Sequence, residues 1–130
     1  MKRATFTLFA FCTFLIGGCG TASKDKIAGW EQKAARPVTC QAGADCGTKW
    51  AKSVTWVRRH ARYEIQKISD YSIMTDGPFD STAAAFSVTR QANPDGTYTI
   101  NFEAWCGSSF GCKPDVRQLK ADFVDFVNGK

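Results

Sequence analysis

Directly after Lys2 and Arg3, the chain runs from residue 4 to residue 16 without a charge and with mostly apolar side chains, then ends in Gly17-Gly18-Cys19-Gly20. A run of that length is too short to cross a bilayer, and a basic start followed by an apolar core and small residues is the form of a secretory signal. This feature constrains everything downstream. A chain delivered by such a leader folds in an oxidising space, where thiols pair and where a small domain can rely on crosslinks. The reading divides the chain into a signal peptide over 1–18, a tether over 19–38 and a folded region over 39–130. The exported part is long enough for one core and too short for two.

Cys12 leaves with the leader. Cys40, Cys46, Cys106 and Cys112 remain, besides Cys19 at the cleavage point. Four cysteines in an oxidising compartment read as two disulfides. Both pairs share the spacing C-x5-C, which favours Cys40 with Cys46 and Cys106 with Cys112, although four cysteines allow three connectivities and the crossed ones stay open. Local pairs close short loops and contribute about 2 kcal/mol each. A four-thiolate zinc site uses C-x2–4-C spacing and reduced thiols, and neither condition is met, so no metal and no cofactor is expected. There is no C-x-x-C motif to support a redox role.

The chain has 17 Lys and Arg against 12 Asp and Glu. Loss of Lys2 and Arg3 leaves 15 against 12, a net charge of +3. That mild excess suits an anionic partner or simple solubility, and an exported location argues against nucleic acid.

From residue 20 to 37 small and charged residues dominate, with Ile27 and Trp30 as the apolar exceptions, which reads as a tether. Residues 39–47 read as a loop closed by the first cysteine pair, with Asp45 or Thr48 available to cap a helix over 49–62. In that helix Trp50, Val54, Val57 and Ala61 make a buried stripe, with Trp56 at its margin. Strands are expected over 63–68 and 71–75, from β-branched and aromatic content rather than clean alternation. Asn93-Pro94-Asp95-Gly96 is a turn signal between strands over 83–91 and 97–106. The last of these alternates well, with Tyr98, Ile100, Phe102 and Ala104 on one side and Asn101, Glu103 and Trp105 on the other. Pro114 opens a closing helix whose stripe is Val116, Leu119, Phe123, Phe126 and Val127, and Gly129 ends it. The expected fold is α+β, a four-stranded antiparallel sheet with two helices packed on one face in the order α-β-β-β-β-α.

No catalytic motif accompanies this pattern. The only histidine is His60, and nucleophile elbows, H-E-x-x-H and phosphate loops are absent from the sequence, so the chain is not expected to be an enzyme. Two groups of residues are candidates for binding a partner. One is the polar sheet face with Trp105, Glu103 and Asn101, where an aromatic among polar groups can anchor a contact. The other is Arg58, Arg59 and Arg62 at the end of the first expected helix. There they can hold a phosphate group or merely complement the helix dipole.

The run Ile16-Gly17-Gly18-Cys19 resembles a bacterial lipobox. That resemblance implies a diacylglyceryl group on Cys19, a membrane partner through this anchor and, with Gly20 following, an outer-membrane lipoprotein facing the periplasm. Ordinary signal-peptidase cleavage, giving a soluble periplasmic or secreted protein, is the alternative. From Asp45 onward the chain is similar to a group of small exported proteobacterial proteins. The similarity is carried by Asp45-Cys46, Lys49-Trp50, Trp56-Val57, Tyr63-Glu64-Ile65-Gln66, Gly96-Thr97-Tyr98-Thr99-Ile100, Cys106-Gly107, Phe110-Gly111-Cys112 and Pro114-Asp115, and it implies no activity. The expectation from sequence is a non-catalytic envelope lipoprotein that binds an envelope protein or an anionic glycolipid. The alternative is an exported inhibitor of a hydrolase such as a lysozyme.

Overall fold

A computed structural model describes residues 23–130, which form three helices and five strands. In chain order these are α1 (Lys24–Ala34), β1 (Thr39–Gln41), α2 (Ala44–His60), β2 (Ile65–Ile68), β3 (Ser72–Thr75), β4 (Ala85–Ala92), β5 (Thr97–Trp105) and α3 (Val116–Asn128). The strands make one sheet in the order β1-β5-β4-β3-β2, antiparallel at every pairing. The α+β class and the antiparallel sheet are as the sequence predicts. The count is not: there are five strands and three helices instead of four and two. The leader and Cys19 lie outside the described residues.

The extra strand is β1, inside what reads as a loop. Thr39, Cys40 and Gln41 pair with Thr99, Tyr98 and Thr97. Three residues are too few to show a period, so only the partner strand reveals this one. The extra helix is α1, which lies within the stretch that reads as a tether. It packs along α3, yet none of its residues is buried. Ion pairs hold it: Lys33 and Arg36 both reach Asp125, and Glu31 reaches Arg117.

α2 begins five residues earlier than expected, at Ala44. Gly43, with φ 97°, supplies the turn into it. The Asp45 carboxylate accepts a hydrogen bond from the Gln41 N–H at 2.8 Å, fastening β1 to the first turn of the helix. The disulfide Cys40–Cys46 joins the same two elements, and Cys106–Cys112 closes the loop before α3. Both pairings are the local ones. α3 starts two residues later than Pro114 suggests. Asp115 is its cap, accepting from the Arg117 N–H at 2.8 Å, and Gly129 ends it with φ 76°.

The weak alternation of the second and third strands has a physical cause. Between Ile65 and Lys67 the β2·β3 register shifts, so a bulge breaks the two-residue period there. Across β4 and β5 the register is unbroken, with Val88 opposite Phe102 and Phe86 opposite Ala104. These side chains face α2 and α3. Trp56 is the centre of the core rather than its margin. It is fully buried, with edge contacts to the rings of Phe86, Phe102 and Phe123 at 5.1–5.4 Å.

Candidate anion-binding site

α2 and α3 run antiparallel, as the contacts of Trp56 with Phe123 and of the Lys52 end with Gly129 show. The C-terminal end of α2 therefore meets the N-terminal end of α3. The loop over residues 106–114 delivers Lys113 to the same place, because the Lys113 N–H donates to the Thr82 carbonyl at 2.9 Å. A cavity of about 230 Å³ opens there, lined by Arg59, His60, Arg62 and Lys113 over a floor of Phe86 and Leu119. A second, of about 430 Å³, shares Arg62 and Lys113 and adds Ser81, Thr82 and Tyr63.

Four cationic or basic side chains, with hydroxyls beside them, thus surround one small space over an apolar floor. Among the described residues no carboxylate lies within ion-pair distance of Arg58, Arg59, Arg62 or Lys113. The two nearby acids are engaged elsewhere. Asp115 caps α3 and binds the Arg117 guanidinium, whose hydrogen bonds hold its carboxyl below the ordinary 3.8. Asp122 accepts from the buried Trp56 Nε1 at 2.9 Å and faces His60 Nε2 at 3.5 Å. His60 is fixed on its other side. Its Nδ1 is 2.8 Å from the Trp56 carbonyl, which can only accept, so Nδ1 carries the hydrogen. The ring also stacks on Trp56, centroids 4.0 Å apart. One side of the cavity is in this way built directly on the core.

The sequence-derived candidates divide. Arg59 and Arg62 meet at the cavity, with the Arg59 guanidinium 5.7 Å from the Phe126 ring. Arg58 is exposed and lines neither cavity. Trp105, expected to stand in solvent on the polar sheet face, is half-buried. It lines a groove of about 580 Å³ with Glu103, walled by Ala34 and Ala35 at the end of α1 and by Val116 of α3. β1 flanks only the start of β5, which leaves this stretch to the helices. Asn101 is exposed and borders the adjoining groove. The two candidate groups do not merge into one site. His60 lies in the same stretch as Arg59 and Arg62 and was legible beside them, but Lys113 was not, because a contact across some fifty residues depends on how the helices cross. The only signal for Lys113 is its place beside Cys112, a fixed point of the chain.

Among the described residues no cluster of His, Cys, Asp and Glu could hold a metal ion, and no helix is long and apolar enough to cross a membrane. No protein-family model matches the chain, and the comparisons with curated proteins and with solved structures give no match either.

Proposed function

We propose that this chain is a non-catalytic lipoprotein of the bacterial envelope whose domain binds a phosphate-bearing envelope component, such as an anionic glycolipid. The observation that carries the reading is the convergence of Arg59, Arg62 and Lys113 on one cavity without a carboxylate to balance them. Guanidinium groups suit phosphate because their planar forks donate two parallel hydrogen bonds to its oxygens. Ser81 and Thr82 hydroxyls beside them offer neutral donors. The envelope location and the anchor at Cys19 rest on the leader and on Ile16-Gly17-Gly18-Cys19. Outer-membrane sorting rests on Gly20.

Titration of the purified full chain with inorganic pyrophosphate tests the site. Saturable heat release that is lost in Arg62→Ala/Lys113→Ala and kept in Arg58→Ala is the expected result. Equal binding by all three proteins would discard it. Intact mass tests the location: acyl adducts on the Cys19 peptide are expected, and a chain starting at Met1 would refute export. A second reading, an exported hydrolase inhibitor, draws on the Trp105 and Glu103 groove, where another protein can seat a side chain. Protection of cells from lysozyme by the wild type, lost on Trp105→Ala, would favour that reading instead.

A further inference from the structure

Two large apolar side chains project into solvent at the same end of the domain as the basic cavity. Phe110 is 91% exposed and Phe79 58% exposed, the first of these being the most exposed large hydrophobic residue described. Phe110 sits in the loop closed by Cys106–Cys112, three residues before Lys113. Phe79 packs edge-on against Tyr63, next to Arg62, with ring centroids 5.3 Å apart. The two loops are fastened together, the Ser108 N–H donating to the Ser81 carbonyl at 3.1 Å.

The chain also enters the domain at this end. Glu31 pairs with Arg117 in the first turn of α3, while Lys33 and Arg36 pair with Asp125 near its last turn. α1 therefore runs parallel to α3. Its start at Lys24 lies seven residues, about 10 Å, beyond Glu31 on the side of the Phe110 loop.

From these placements we propose that this end of the domain is a membrane-docking face, with Phe110 and Phe79 entering the interface of an anionic bilayer while Arg59, Arg62 and Lys113 contact lipid phosphates. The inference rests on the phosphate-binding reading and commits it to lipid headgroups in a bilayer. Single aromatics at separate loop tips, set among cations, match an interface that is apolar below and anionic above. A protein partner would instead call for a contiguous apolar patch. Entry of the chain from the same side lets an anchor and this face engage one membrane together. Each cation near such a surface strengthens attachment about fivefold.

The test uses the full chain in vesicles of phosphatidylcholine with 30% phosphatidylglycerol, carrying brominated acyl chains in one series. The indole introduced by Phe110→Trp should lose at least twice as much fluorescence to the brominated lipid as the wild-type background loses. Adding Arg62→Glu and Lys113→Glu should abolish that excess, and vesicles of phosphatidylcholine alone should reduce it several-fold. No excess quenching, or an excess indifferent to both charge changes, overturns docking. Pyrophosphate binding without excess quenching overturns this inference and leaves the phosphate site standing. Excess quenching without pyrophosphate binding does the reverse. Loss of a co-purifying envelope protein on Phe110→Ala, again without quenching, assigns the face to a protein and also overturns it.

Discussion

Trp56→Phe tests the view that the core and the candidate site share one residue. The indole is fully buried, so its Nε1–H has no solvent to fall back on and donates only to Asp122 Oδ2, at 2.9 Å. Phenylalanine keeps the six-membered ring against Phe86, Phe102 and Phe123 but deletes the donor and part of the volume. A hydrogen bond to a charged acceptor contributes about 1.5–3 kcal/mol, and the lower end applies because the Asp122 side chain is 59% exposed and is rehydrated when the bond is lost. The small void adds about 1 kcal/mol. The expected loss is about 2–3 kcal/mol, or roughly 10–20 °C in Tm for a domain of this size. Urea unfolding with disulfides intact gives the value. A double-mutant cycle isolates the bond. Asp122→Ala alone strands the buried donor at about 1–3 kcal/mol, so Trp56→Phe in that background should cost at least 1 kcal/mol less than in the wild type. Costs that add within about 0.4 kcal/mol would refute the reasoning, since the indole would then gain nothing from Asp122.

Three further perturbations have outcomes set by the same structure. Gly107→Ala should destabilise by about 1–3 kcal/mol and shift the Phe79 resonances, because its Cβ would fall 2.2 Å from the Phe79 carbonyl oxygen; unchanged unfolding would contradict that packing. Arg90→Met should change stability by less than about 1 kcal/mol. The guanidinium lies 5.3–5.5 Å from the rings of Trp50, Tyr71 and Tyr98, but its buried Nε has no partner, so cation–π gain and desolvation cost nearly cancel; Arg90→Ala, which also removes the packed stem, should cost more in the same assay. Hydrogen bonds from Lys33 and Arg36 hold the Asp125 carboxyl below its ordinary value. A carboxyl depressed in the folded state stabilises fully above the ordinary 3.8 and loses that contribution as pH falls through the depressed value. Amide exchange in α1 should therefore be the same at pH 7 and pH 5 after correction for intrinsic rates, and faster only below pH 4, with α2 and α3 still protected.

Residues whose burial follows a period were legible, and residues fixed by tertiary crossing were not. β5 alternates because one face meets Trp56 and Phe123 while Glu103 and Asn101 face away, so its pattern survives in the sequence. The stripe of α3 is equally plain. α1 has no buried residue, and a helix held by Glu31, Lys33 and Arg36 looks like solvated chain until Asp125 and Arg117 are known to lie opposite. The sequence places Trp56 at the margin because a stripe through Trp50, Val54 and Val57 leaves it to one side. The buried Ser53 shows the true face of α2 to be rotated toward Trp56, and Ser53 is tolerated there because its Oγ donates to the Lys49 carbonyl at 2.9 Å. In the candidate site the arginines were visible as a cluster, but a cluster in sequence does not say whether carboxylates fold against it.

That question has a physical answer in how cations are treated elsewhere in the domain. Lys33 and Arg36 share Asp125, Lys49 is near Asp45, and Arg117 reaches both Asp115 and Glu31. Lys33, Arg36, Lys49 and Arg117 are therefore each matched by an acid the fold brings to them. At the other end of α2 the pattern reverses. Arg58, Arg59 and Arg62 crowd within five residues, Lys113 is added from a loop pinned by a disulfide, and Asp115 and Asp122 are committed to Arg117 and to Trp56. A helix C-terminus offers about half a negative charge, which can satisfy one of these cations and not four. Clustering like charges over the apolar floor of Phe86 and Leu119 works against folding, and among the described residues no carboxylate within ion-pair distance of Arg58, Arg59, Arg62 or Lys113 offsets it. A ligand with several anionic oxygens would, and the surplus of positive charge is the strongest reason to seek one there.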